Sequence, residues 1–301
     1  MWNIIPARKA RCYTHKRHSA DHEEREKPDT SVTSKRRTII ITDLDGTLLD
    51  AETYSFEAAR PALEAALRRN IPLILCSSKT RAELEVYRQR LQNDHPFIVE
   101  NGGALYVPAG YFPHIAGGEW RDGYQRIPLG SPYAEVRKAF ERLRDELSVP
   151  VRGFGDMTAD EIAVLTGLSP EDAVRAQQRE YGEPFVFGGP PDERFLRAIE
   201  EAGLHWTRGR LFHIMGNHDK GKAVKLLRRL FVQDGIAVDL VGLGNSLNDL
   251  PLLLAVDRPV LVRKKDGSFE PEINIPSLER TRGSGPAGWN EAVLKVLSDD
   301  E

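Results

Sequence analysis

Two cysteines, Cys12 and Cys76, are all that the 301 residues contain. Cys76 falls in an apolar, strand-like run, so no disulfide framework is available and a reducing cytoplasm suits the chain. Long apolar runs are missing too. None approaches the roughly 20 residues that a bilayer-crossing helix needs, so no membrane partner is expected. Charge of one sign is equally scarce: 42 Lys and Arg stand against 45 Asp and Glu, a formal net charge of −3. Composition therefore gives no reason to expect nucleic acid as a partner. No internal repeat or low-complexity tract is visible. What is there is ordinary globular material, 40% hydrophobic, long enough for two domains with separate cores.

Residues 1–36 differ from the rest. They are rich in charge, poor in large apolar residues after Ile5, and without a period. They lack the apolar centre of a secretory signal, and the acidic block Asp21–Glu26 argues against an organelle presequence. A solvated, disordered extension is the expectation. His15, His18 and His22 are too irregularly spaced to define a metal site.

Order is expected from about residue 37. Thr38–Thr42 (TIIIT) is a short β-branched block that reads as a buried strand, broken by DLDGT. A helix follows through FEAARPALEAALRRN, then a second buried strand at Ile71–Cys76. Thr80 and Glu83 have capping-box spacing for the next helix. PFIVENGGALYVP reads as a strand, an Asn-Gly turn and a returning strand. Strand and helix in alternation predict an α/β fold with a doubly wound parallel sheet, whose ligands gather at the carboxyl ends of the strands.

The middle changes character. AEVRKAFERLRDEL is amphipathic, VRGFGDM strand-like, and Thr158 and Glu161 form another capping-box pair. Ser169 precedes Pro170 at a helix start. Residues 116–204 are expected to form an α+β insert between core segments 37–115 and 205–301. The parallel pattern resumes with GKAVKLLRRLF, AVDLVGL and DLPLLLAV.

Asp43, Asp45, Ser77 and the cluster GLGNSLNDLPLL (Gly242–Leu253) all fall just after predicted strands. Two carboxylates at i and i+2 repel unless something positive lies beside them, and they suit magnesium, which takes a few carboxylate and carbonyl oxygens with phosphate and water. A polar strand-to-helix loop is the alternative. Ser77 and Ser78 offer hydroxyls for a phosphate oxygen, or an N-cap. Lys220 opens a helix where a cation could meet phosphate charge, although a lone lysine is commonly a solvated surface residue. Asn245, Asn248 and Asp249 could complete a metal shell or form a plain turn.

In this order the four segments resemble the haloacid dehalogenase superfamily of phosphohydrolases. Its DxDGT corresponds to Asp43–Thr47, its second-strand hydroxyl to Ser77, its lysine to Lys220 and its acidic GDxxND loop to Gly244–Asp249. The insert matches the position of that superfamily's larger α+β cap. LCSSKTRAE, FIVENGGALYVP, AQQREYGEPFVF and GRLFHIMGNHDKGKAV look like the mannosyl-3-phosphoglycerate phosphatase family. Ser77-Ser78-Lys79 replaces the Thr-Gly-Arg of general sugar phosphatases.

The resemblance implies Asp43 as nucleophile, Asp45 as general acid and base, Ser77 on a phosphoryl oxygen and Lys220 balancing charge. It implies Mg2+ held by the Asp43 carboxylate, the Asp45 carbonyl and the 245–249 loop, with Asp249 acting through water or indirect contacts. Asn245 departs from the family, which usually has Asp there as a direct ligand. For a small glycosyl-3-phosphoglycerate substrate, Ser78, Lys79 and Arg179 are candidates for anionic groups and Glu100, Asn101 and His213 for the sugar. Arg179 could equally belong to a solvated helix face, and His213 could lie between strand and core. Another sugar-phosphate specificity, or a binding protein that lost turnover, are the competing expectations.

Overall fold

A computed structural model describes residues 36–299; the extension expected at the N-terminus, with its three histidines and Cys12, lies outside the described residues. β1 (Arg37–Thr42) is buried from Thr38 onward, as its β-branched run requires. α1 (Arg60–Arg68) carries Pro61 in its first turn, where the missing N–H removes no helical bond. β2 (Leu73–Cys76) follows, then α2 (Arg81–Arg90), whose capping box joins Thr80 and Glu83 reciprocally. β3 (Phe97–Val99) and β4 (Ala104–Pro108) are joined by a tight turn, and β5 (Glu119–Arg121) and β6 (Tyr124–Pro128) form a hairpin.

After α3 (Tyr133–Leu147) come β7 (Val151–Gly153), α4 (Ala159–Thr166), α5 (Pro170–Ala176), β8 (Gly182–Phe187) and α6 (Glu193–Glu201). Thr158 and Ser169 cap α4 and α5. The chain continues through β9 (His205–Arg208), β10 (Phe212–Met215), α7 (Lys220–Gln233), β11 (Val238–Gly244), α8 (Leu250–Leu253), β12 (Arg258–Arg263), β13 (Glu279–Ser284) and α9 (Gly285–Asp299).

The main sheet has the order β13-β12-β11-β1-β2-β3-β4-β6-β5. It is parallel from β13 to β3 and antiparallel from β3 to β5. This is the doubly wound α/β fold expected from the sequence. Alternation sorts its side chains: Ile40, Leu75 and Val241 pack with α1, α2 and α9 on one face. Ile39, Ile41, Ile74 and Leu240 pack with α7 and α8 on the other. Trp289 of α9 is fully buried and its indole N–H donates to Thr42 Oγ1 at 2.9 Å, beside the end of β1.

A second, antiparallel sheet has the order β7-β8-β10-β9. One face carries α3 and α6 through Phe140, Phe185, Phe195 and Ile214; α4 and α5 pack around Ile162 and Ala173. β5 and β6 extend the main sheet, Leu105 of β4 pairing with Ile127 of β6. β9 and β10 belong to the second sheet, Phe212 pairing with Phe185. Backbone pairing decides which sheet a strand joins, and a period of two says only that it is a strand. Among the described residues no helix is long and apolar enough to cross a membrane.

Candidate active site

β1 and β11 are parallel neighbours in register, Thr42 opposite Leu243. The loops leaving them therefore emerge side by side, and Asp43 N–H donates to Leu243 O at 2.9 Å. α7 brings in the third component. Its cap, Asp219, accepts from Lys222 N–H at 2.7 Å, and Lys220 enters the core with no exposed surface. Lys220 Nζ lies 2.6 Å from both Asp43 Oδ1 and Asp249 Oδ1. Burial opposes the ammonium charge, but the two carboxylates outweigh it and hold Lys220 above its usual range.

Asp249 spends its other oxygen on its own loop, Oδ2 accepting from the N–H groups of Asn245 (2.9 Å) and Ser246 (3.1 Å). It links lysine to loop. Asp43 is short of positive charge: burial first, then Asp249, push its carboxyl up to about 7 against the pull of Lys220.

Asp45 lies on the other side. Its Oδ2 is 3.0 Å from Lys79 Nζ, and Lys79 is also 3.5 Å from Glu83 Oε1. Glu83 also accepts from the N–H of Thr80, the cap of α2, so the helix start and the Asp45 orientation share one carboxylate. Asp45 Oδ1 and Asn245 Oδ1 are buried without a hydrogen-bond partner among the described residues. Gly46, next to Asp45, has φ +74, and a Cβ on it would lie 2.3 Å from Asn245 Nδ2. Conformation and close approach both demand glycine there. Among the described residues no cluster of three or more Asp, Glu, His or Cys side chains stands ready for a metal. The crowded Asp43 and Asp45 carboxylates together with an unpartnered Asn245 amide oxygen nevertheless make a hard-oxygen set, which fits a divalent cation.

Asp43, Asp45, Ser78, Lys79, His213 and Asn245 all line one cleft of about 670 Å³, with Arg179 at its wall. Ser77 is fully buried at the end of β2, its Oγ accepting from Lys79 N–H at 3.3 Å. His213 is buried with Nδ1 unpartnered among the described residues, and burial, then Arg179 and Lys220, push its imidazole down to about 3. It is neutral at physiological pH. Glu100 and Asn101, expected at the sugar, do not line this cleft. Both adopt left-handed backbone, φ +47 and +57. Asn101 Oδ1 accepts from Asn248 Nδ2 at 3.1 Å, bracing the 245–249 loop.

Glu100 accepts from the N–H groups of Glu180, Tyr181 and Gly182 at 2.8–3.0 Å and pairs with Arg179 at 3.2 Å. Arg179, expected at the substrate carboxylate, spends its other donors on the carbonyls of Gly182 and Ser78. Sequence reasoning missed Tyr54 and Arg210, which also line the cleft; Arg210 falls inside the GRLFHIMGNHDKGKAV segment, whereas no motif marks Tyr54.

A parallel sheet with a buried Asp-Lys-Asp array at its carboxyl edge, and a second carboxylate two residues on, defines a class. Residues 40–111 match the model of the haloacid dehalogenase-like hydrolases, and the chain is a phosphoric monoester hydrolase of that type. It is 44% identical over 268 residues to the glucosyl-3-phosphoglycerate/mannosyl-3-phosphoglycerate phosphatase of Methanococcoides burtonii, covering 86% of this chain and 97% of the relative. With the enzyme of the same description from Persephonella marina the identity is 39%, over 87% of this chain and 98% of the relative. The chain belongs to the mannosyl-3-phosphoglycerate phosphatase family of haloacid dehalogenase-like hydrolases. A solved structure from Thermoplasma acidophilum shares the fold, with TM-score 0.64 at 16% identity over 87% of this chain and 99% of that one.

Proposed function

We propose that this protein is a Mg2+-dependent phosphatase that converts glucosyl- or mannosyl-3-phosphoglycerate to the glycosylglycerate, a compatible solute, and inorganic phosphate. The observation that carries the chemistry is the buried Asp43–Lys220–Asp249 array opening onto a cleft that also holds Asp45. The substrate class is supported by the relatives' activities. Asp43 attacks phosphorus as the ester P–O bond breaks, and Asp45 gives its proton to the departing glycerate oxygen. Water then attacks the aspartyl-phosphate, Asp45 takes its proton, and the bond to Asp43 breaks to release phosphate. Lys220 fixes Asp43 and offsets charge on the phosphoryl group, while Ser77 or Ser78 donates to a phosphoryl oxygen.

Asp43, the Asp45 carbonyl and Asn245 would hold the cation, which when bound neutralises phosphate charge and aligns the transfer. Asp249 supports it indirectly, since Lys220 and two backbone N–H groups occupy its oxygens. Lys79 orients Asp45 in this reading. The segment from α3 through β10 acts as the cap that selects the substrate, with neutral His213 facing a sugar hydroxyl. Arg179 and Glu100 join the two sheets rather than reading the ligand. A protein with weakened turnover is the second reading, favoured by the amide at Asn245.

Phosphate release from both glycosyl-3-phosphoglycerates, several sugar monophosphates and an aryl phosphate, with and without Mg2+, tests the proposal. The glycosyl-3-phosphoglycerates are expected to give the highest kcat/KM. A sugar monophosphate in first place would replace the substrate assignment, and no release from any would favour the second reading.

A further inference from the structure

The cations of the cleft are Lys79, Arg179, Arg208, Arg210, Lys264 and Lys265. Nearly all are already neutralised by carboxylates of the chain itself. Lys79 pairs with Asp45 and Glu83, Arg179 with Glu100, Lys264 with Glu270 at 2.8 Å, and Lys265 with Glu52 at 2.5 Å. Arg208 has Glu272 at 3.8 Å. Arg210 has no acidic group within 4 Å among the described residues, and its hydrogen bond is to a neutral oxygen, Nη1 donating to Tyr54 Oη at 3.0 Å. A guanidinium carries five N–H donors in a fork that matches a carboxylate, so most of its binding capacity is uncommitted.

Its orientation is built rather than left to rotamer freedom. Tyr54 Oη donates to Thr166 O at 2.8 Å, at the C-terminal end of α4, and so turns a lone pair toward Arg210. The Tyr54 ring lies under Lys79 Nζ at 5.0 Å, and its backbone is held at φ +56, a conformation that a bulky residue adopts only under constraint. Burial, with Asp45 next, raises the Tyr54 pKa and keeps the phenol protonated as that donor. The tip of the β9–β10 hairpin, which carries Arg210, reaches the phosphate end of the cleft: a Cβ on Gly209 would lie 3.6 Å from the Asn248 amide.

We propose that Arg210, braced by Tyr54, binds the carboxylate of the substrate and makes this cleft selective for phosphate esters that carry an acid group close to the phosphate. The inference rests on the phosphatase reading above and names the group that separates its substrate from plain sugar phosphates. In 3-phosphoglycerate esters the acid lies two carbons from the phosphorylated carbon. A cation near the phosphate site, on the opposite sheet, suits that spacing.

The test compares kcat/KM for glucosyl-3-phosphoglycerate with that for its analogue in which the carboxylate is reduced to an alcohol. Wild type is expected to favour the acid. In Arg210→Gln that preference should fall by about 10–100-fold, chiefly through KM, because a hydrogen-bonded charge pair has been lost. Arg210→Lys should regain part of it, and Tyr54→Phe should lose an intermediate share. Because Arg210 is exposed, the melting temperature of Arg210→Gln reports whether the fold is intact. An acid-to-alcohol ratio that Arg210→Gln leaves at the wild-type value overturns the assignment while the phosphatase reading stands. If wild type releases phosphate from neither compound, the phosphatase reading falls and Arg210 falls with it.

Discussion

At the scale of single residues, Asp43 and Asn245 carry the clearest consequences. Asp43→Asn keeps the shape of the side chain and removes the nucleophilic oxygen charge, while Lys220 retains Asp249 at 2.6 Å. The variant should fold, and phosphate release should fall by at least about 10³-fold. Appreciable turnover by pure Asp43→Asn protein would dismiss Asp43 as the nucleophile. Asn245→Asp works in the opposite direction. A third carboxylate placed beside Asp43 and Asp45 adds repulsion in metal-free protein, so its melting temperature should drop. Divalent cation should then stabilise it more than it stabilises wild type, since binding to the folded state alone raises stability by mass action. The Mg2+ concentration for half-maximal thermal shift, and for half-maximal activity, should fall by about tenfold or more. Equal half-saturation in both proteins would exclude Asn245 as a ligand.

α3, β8 and the turn after β7 are tied together by a charged cluster. Arg137 of α3 reaches Asp156, just after β7, and Glu183 of β8 at 2.8 Å, while Arg144 reaches Asp156 at 3.1 Å. Burial works against the Asp156 charge, but the hydrogen bonds of Arg137, Gly153 N–H and Arg144 prevail and bring its carboxyl down to about 2. Its folded value thus lies below its unfolded value near 3.9, so its stabilisation is full above about pH 5 and is lost progressively as pH falls through 2. After allowance for solvent screening the contribution is about 1–2 kcal/mol. Glu183 acts in the opposite direction, because burial raises its pKa. Urea unfolding should show Asp156→Asn less stable than wild type at pH 7, with most of that gap gone at pH 2.5. A gap that persists at low pH would mean packing, not charge.

Elements were legible where their determinants are local. The caps at Thr80, Thr158 and Ser169 need only a hydroxyl and a neighbour three residues on. Asp43, Asp45, Lys220 and the 245–249 loop could be placed because each lies at a strand end or helix start. The sheet to which β5, β6, β9 and β10 belong depends on partners distant in sequence, so that membership was not legible.

The whole molecule depends on how its two sheets are joined, and this too was invisible in the sequence. Glu100 leaves β3 in a left-handed conformation and accepts from three consecutive N–H groups at the start of β8, with Arg179 completing the contact. Nothing in the spacing of Glu100 and Arg179 announces a pair. Thr80 Oγ1 to Arg175 O and Tyr54 Oη to Thr166 O extend the same seam to α5 and α4. Burial pushes the Glu100 pKa up, against Arg179 and the N–H groups, so the carboxylate is tolerable only with the seam closed. Glu100→Gln preserves size but turns an NH2 group toward donors and leaves the Arg179 guanidinium buried and unpaired. The expected loss is about 3–5 kcal/mol in denaturant unfolding. Arg179→Met alone should also destabilise, whereas the double variant should lose much less than the sum of the singles, as partners in one network do. kcat/KM should fall in Glu100→Gln as well, because Arg179, which Glu100 holds, lines the cleft. Additive losses in that cycle would show that the two side chains stabilise their own sheets separately. The join would then rest on the backbone and hydroxyl contacts alone.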